Sequence, residues 1–200
     1  MKTVPEQHKG ASSVTRYAIK LPSVSSAKSL FNNARNNLLN VNAWHVLAGP
    51  GSATFEIINS NGQKSNDTVK KGNYLRIPSP VIPGSPAGKG ADWVKVEQVK
   101  EEEADNYQSV AISVRPAPSP VDDDREVAHF FAPDATSTFS IERNDRVVIA
   151  AVNGRNEIPN TQTKNLLSWI RNFFVALGAM IGLNKPQWNG LVKGLIKKRL

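Results

Sequence analysis

The spacing of apolar residues along this chain changes twice. In "SVTRYAIKLPS" (13–23), Val14, Tyr17 and Ile19 stand among polar residues and Pro22 closes the run, which predicts a first strand. In "SSAKSLFNNARNNLLN", Ala27, Leu30, Phe31, Ala34, Leu38 and Leu39 recur at helical spacing. That predicts an amphipathic helix, capped by Ser25 or Ser26, with its asparagines on the other face. A shorter helical piece, "VNAWHVLAG", stops at Gly49-Pro50-Gly51.

The period then shortens to two. Ala53, Phe55 and Ile57 share a face before the Asn61-Gly62 turn signal. "NYLRIPSPV" reads as a strand ended by prolines. "DWVKVEQVKEEE" sets Val94 and Val96 against Trp93, Lys95 and Glu97. Val110, Ile112 and Val114 alternate in "SVAISVRP", Phe139 and Ile141 in "TSTFSIERND", and Asn144-Asp145-Arg146 turns into "VVIAAVNG". Consecutive strands joined by turns pair antiparallel. The helical period returns from Thr161 to Leu183, where Leu166, Leu167, Ile170, Phe173, Phe174, Leu177, Met180 and Ile181 predict a wide apolar face. Asn184-Lys185-Pro186 breaks this helix, and "QWNGLVKGLIKKRL" reads as a short amphipathic terminal helix. The expected organisation is an N-terminal tail over 1–12, one α+β domain over 13–183 and a basic C-terminal extension over 184–200.

Composition narrows the function. There are no cysteines among the 200 residues, so disulfides, thiolate metal sites and a cysteine nucleophile are excluded. That fits a reducing, cytoplasmic location, and "MKTVPEQHKG" has no apolar signal-peptide core. The uncharged run Phe173–Leu183 is too short to cross a bilayer core of about 30 Å, so no transmembrane span is expected. The formal charge is +8, of which seven basic residues and no acidic one fall from Ile158 onward. A basic terminal helix explains this charge, and no aromatic–basic interleaving or finger spacing supplies a specific nucleic-acid motif. Residues 185–200 nevertheless carry Trp188, Leu191, Leu195 and Ile196, enough apolar surface to meet a membrane, a partner protein or their own domain.

Catalytic signatures are missing. His8, His45 and His129 form no H-x-x-x-H pair, and His45 or His129 reads first as a structural histidine. "VDDDREVAH" gathers carboxylates without the spacing of a calcium loop. "GSPAGKGADW" lacks both the glycine spacing and the hydroxyl residue of a phosphate loop. No G-x-S-x-G elbow occurs. Neither a cofactor nor a metal is expected, and nothing marks the chain as an enzyme.

The order of strand, helical pair, antiparallel strands and long C-terminal helix over roughly 13–183 resembles the START-like, or helix-grip, superfamily, which includes polyketide cyclases and lipid-transport proteins. "GRNEIPN" and "QWNGLVKGL" also resemble a bacterial family with no assigned function. The superfamily resemblance implies a curved sheet of six or seven antiparallel strands wrapped around the C-terminal helix. It also implies an apolar cavity for a lipid or other hydrophobic small molecule. On that model Arg155 and Asn156 would hold a polar head group, with Trp44, His45, Phe173 and Leu177 around the apolar part. The bland alternative makes "GRNEIPN" a structural joint between strand and helix, with Gly154 supplying backbone freedom and Pro159 ending the ladder. A second functional reading is a protein-interaction module that docks through the basic C-terminus and the Pro-rich loop 78–90. The Pro-rich insertion and the extension past Pro186 both depart from the superfamily pattern.

Overall fold

The computed structural model describes residues 4–78, 90–121, 127, 129, 131–158 and 188–197. The seven strands are β1 (Ala11–Lys20), β2 (Glu56–Ile58), β3 (Tyr74–Pro78), β4 (Ala91–Ala104), β5 (Tyr107–Pro116), β6 (Thr136–Asn144) and β7 (Val147–Glu157). They form one antiparallel sheet in the order β1-β7-β6-β5-β4-β3-β2. Helix α1 (Val24–Leu39), a single 3-10 turn (Val41–Ala43) and helix α2 (Trp44–Ala48) connect β1 to β2. A C-terminal helical segment covers 188–195. This is the α+β class of fold, with one antiparallel sheet of seven strands, expected from the sequence. The expected long helix 161–183, with Phe173 and Leu177, lies outside the described residues, as do most of the Pro-rich loop and the aspartates at 122–124.

The sheet has an apolar inner face. Val96, Val110, Ile112, Val114, Phe139, Ile141, Val148, Ala150 and Val152 are buried there, and α1 packs on them through Ala27, Leu30, Phe31, Ala34 and Leu38. The alternation that predicts β4 breaks where Val96 is followed by Val99, and a β-bulge sits there, between Val96 and Gln98. The extra residue returns Val99 to the inner face, opposite Ile112. Trp93, on the opposite face, is not solvated: it is buried against Ile58 and Tyr74 in a satellite cluster.

Three elements differ from their predicted bounds. β2 is only three residues long, because Ala53 and Phe55 precede its ladder with β3. β1 starts two residues early. The cap of α1 is Ser23, whose extended backbone lets its hydroxyl accept from Ser26 N–H, while Ser26 Oγ accepts from Ser23 N–H. Ser26 is thus the return half of a capping box rather than the cap.

One end of the sheet is tied by a fully buried arginine. Arg143 is 0% exposed on the inner face of β6. Its Nε donates to Gln108 Oε1 at 2.7 Å, and its Nη1 donates to the carbonyls of Asp145 (3.0 Å) and Asn106 (3.3 Å). The guanidinium therefore joins the β4–β5 turn to the β6–β7 turn, which also share the Asp145 N–H to Asn106 carbonyl bond.

The other closure is made by the C-terminal segment. Leu191, Val192, Leu195 and Ile196 are buried in the same core as the sheet. Asn37 on α1 donates to the Leu195 carbonyl at 3.0 Å. Gly190 and Gly194, one helical turn apart, face the end of α2. A Cβ on Gly190 would run into the Ala48 carbonyl oxygen, and one on Gly194 into that of Leu47. The glycines in "NGLVKGL" are therefore needed for close backbone approach, and the apolar face of the extension is spent on its own domain.

Gly194→Ala is expected to destabilise the fold by about 1–3 kcal/mol, the usual range for overpacking a tight contact. Asn189→Ala, at an exposed neighbouring position, should change little. Denaturant titration of both variants checks this; equal midpoints would mean that the glycine seat contributes nothing.

Candidate functional site

Trp44 begins α2 and is 1% exposed. Its indole N–H is committed to the Leu38 carbonyl at 3.0 Å. Its ring centroid lies 4.6 Å from Phe139 and 5.3 Å from Phe55, and that of Trp188 in the C-terminal segment lies 5.4 Å from Phe139, edge-on, and 6.3 Å from Phe55. Four aromatic rings from α2, β6, the chain before β2 and the C-terminus therefore converge on the inner face around Phe139. His45, the next residue, is exposed. Its carbonyl accepts from Gly49 N–H and Ser52 Oγ. Adjacent in sequence, Trp44 and His45 point to different environments, because successive helical residues are about 100° apart.

Arg155 and Asn156 lie at the end of β7. Burial alternates along this strand, with Val148, Ala150 and Val152 buried on the inner face. Arg155 falls on the opposite face, where its Nη1 donates to the Gly154 carbonyl at 2.7 Å and to that of Ser13 at 3.4 Å. Asn156 is buried and takes a left-handed backbone with φ +54°, a conformation asparagine tolerates better than most residues. Its Oδ1 accepts from His8 N–H at 2.8 Å and Lys9 N–H at 3.2 Å, and its Nδ2 donates to the Glu6 carbonyl. Its own N–H donates to Gln7 Oε1. Every polar group of the Asn156 side chain thus holds the segment ahead of β1. Glu157 folds back over Gly154, where a Cβ would collide with its carboxylate, and accepts from Ser13 Oγ at 3.1 Å. Burial raises its pKa above the ordinary glutamate value, against the Ser13 hydrogen bond and the charge of Arg155. "GRNEIPN", as far as Ile158, clasps the chain's beginning to the end of its last strand.

His129 is buried with its Nδ1 accepting from Phe131 N–H at 2.9 Å. Burial depresses its pKa to about 3. It is a neutral structural histidine at physiological pH. Among the described residues no cluster of three His, Asp or Glu side chains is placed to hold a metal ion.

Two open grooves were not foreseen. One, of about 520 Å³, runs along the outer side of α1 and is lined by Ser26, Ser29, Leu30, Asn33, Asn36, Asn37 and Lys197. The other, of about 310 Å³, lies beside the bulge of β4 between Lys71, Glu97, Gln98, Ser113, Arg115 and Thr136. The Thr136 hydroxyl is buried there without a hydrogen-bond partner. The asparagine face of α1 was visible in the sequence; its pairing with Lys197, far along the chain, was not.

No family model matches the chain, and no curated protein matches it in sequence. Several solved structures are similar in fold. A hypothetical protein, jhp0584 from Helicobacter pylori, is 14% identical with a TM-score of 0.49, over 96% of this chain and 97% of that one. Truncated norcoclaurine synthase from Thalictrum flavum is 13% identical with a TM-score of 0.37, over 98% and 100%. Ara h 8.0201 is 10% identical with a TM-score of 0.36, over 94% and 100%. At these identities and scores none of them assigns an activity to this chain.

Two outcomes follow from these side chains. Asn156→Ala should release the segment 6–9, raising amide exchange at His8 and Lys9 at least about tenfold while Val14–Ile19 stay protected. Unchanged exchange at His8 and Lys9 would show that the clasp is held elsewhere. For His129, the unfolded chain takes up a proton near pH 6.5 that the folded chain resists until about 3. Its contribution to stability is therefore complete above about pH 6.5 and is lost as the pH falls through that window. Between about pH 7 and about pH 5 the melting temperature of His129→Gln should fall less than that of the parent; parallel curves would refute the assignment.

Proposed function

We propose that this chain is a non-enzymatic binding protein that takes a hydrophobic small molecule or lipid against the inner face of its sheet. The observation that carries this reading is the continuity of that face. Val114, Ile112, Phe139 and Val152 make it aliphatic or aromatic, with the four-ring cluster around Trp44 set on Phe139 and with Arg143 and Gln108 at the end nearest the β4–β5 and β6–β7 turns. These side chains are buried under α1 and the C-terminal segment, so a ligand would reach them by displacing part of that cover. In this reading the head-group role does not fall to Asn156, whose side chain holds residues 6–9, or to Arg155, which lies on the face of β7 opposite the apolar wall. Among the described residues no helix is long and apolar enough to cross a membrane.

The alternative of an interaction module docking through the apolar side of the C-terminus is less well supported. Leu191, Leu195 and Ile196, which would make that contact, are buried at 0–1% exposure.

Native mass spectrometry of the freshly purified chain, followed by denaturation and organic extraction, tests the proposal. The expected result is an added mass lost on denaturation and recovered in the extract, and absent from a Val152→Lys variant. A clean apo mass, together with no binding of a fluorescent fatty-acid probe, would overturn it.

A further inference from the structure

The sheet has two edges, and the chain treats them differently. At one edge β2 is three residues long and its own chain takes up its outward groups. Ile57 N–H donates to Asn42 Oδ1 at 2.9 Å, and the Ile57 carbonyl accepts from Ser65 N–H at 2.8 Å. At the other edge β1 runs for ten residues, all exposed except Thr15 and Ile19, with β7 as its strand neighbour on one side. The bond from Leu21 N–H to the Arg146 carbonyl, 2.8 Å, fixes the phase of that ladder. Hydrogen-bonded positions alternate in an antiparallel pair, so Ile19, Tyr17 and Thr15 turn their peptide groups to β7. Val14, Arg16, Ala18 and Lys20 turn theirs to the open side, and among the described residues no hydrogen bond reaches them there.

The side chains of these four residues also share one face. Ile19 packs on the core, which puts the odd positions inside and the even ones on the outer face of the sheet. There Arg16 stands beside Ala151 and Lys20 beside Val147. Both cations are exposed, β1 contains no acid, and among the described residues neither cation has an ion-pair partner. On the inner side, the Lys193 ammonium lies 5.9 Å from the Tyr17 ring. Val14 and Tyr17 are among the large apolar side chains left exposed, at 57% and 38%.

We infer that the β1 edge receives an extended acidic peptide of a partner protein, paired antiparallel as a further strand. Main-chain bonds to the open peptide groups hold the guest, and its alternate side chains meet the two faces. Guest residues on the outer side lie beside Arg16 and Lys20, where glutamate or aspartate is favoured. Those on the inner side lie beside Thr15, Tyr17 and Ile19, where apolar residues are favoured. A second copy fits poorly. Two β1 edges laid together would gather Arg16 and Lys20 of both chains along one seam with no acid between them, and basic residues on an edge strand oppose such self-pairing.

The test is fluorescence anisotropy of the full chain with a labelled peptide of about eight residues alternating glutamate and valine. Binding is expected, weakening as salt is raised. The same peptide with lysine for glutamate should bind at least about tenfold more weakly. In the antiparallel arrangement the glutamates carry the peptide groups that meet β1, so N-methylation at the glutamates should abolish binding and N-methylation at the valines should spare it. Arg16→Glu with Lys20→Glu should weaken binding of the glutamate peptide at least about tenfold. Arg16→Gln with Lys20→Gln should act in the same direction with an unchanged melting curve. Ala18→Pro removes one open N–H and no bond to β7, and should also weaken binding. Absence of binding, equal affinity for the acidic and basic peptides, any other pattern of N-methyl effects, or indifference to the two pairs of charge substitutions overturns the inference. So does self-association that Ala18→Pro abolishes, seen without peptide binding, which would assign the edge to a second copy.

Discussion

The structure depends on the contact between two glycines and two carbonyls. Gly190 and Gly194 let the C-terminal segment approach the end of α2 to a distance no other residue permits. That approach carries Trp188, Leu191, Leu195 and Ile196 into the core and completes the aromatic cluster. The carbonyls at the end of a helix have no partner within it, so the C–H groups of glycine are a reasonable neighbour for them. Without the segment, Phe139 and Phe55 would lose the ring of Trp188, and the α1 face around Asn37 would lose its capped neighbour.

Much of the fold was legible because its strands obey a simple alternation and α1 an equally simple helical one. Even the bulge in β4 is written in the sequence, as the extra residue between Val96 and Val99. What was not legible depends on backbone. Arg143 reads as a polar residue closing a strand, and its partners are turn carbonyls that no side-chain pattern announces. Ser23 rather than Ser25 or Ser26 caps α1 because the backbone of Ser23 is extended, a property of conformation and not of spacing. β2 shrinks to three residues because an alternating pattern says which face a residue takes, not whether a neighbouring strand lies beside it.

The candidate site was legible to a smaller degree. "GRNEIPN" was rightly singled out as a place where polar groups must find partners, but the partners could not be named. They come from residues 6–9, nearly the whole chain away, and Asn156 meets them only through its left-handed backbone. Trp44 and His45 are neighbours in sequence that helical geometry separates into core and solvent.

The strand order has a consequence for how the chain comes to be. Among the described residues β1 precedes the other strands in the chain and pairs along its length with β7, the last of them, and with no other strand. On the ribosome it must therefore wait as an unpaired, exposed edge while the five strands between are made and joined to their neighbours. Contacts so distant in sequence slow folding and lengthen exposure to wrong partners. The polar character of β1, with most of its residues still exposed in the finished fold, suits such an interval, since a strand of this kind is soluble before it is paired.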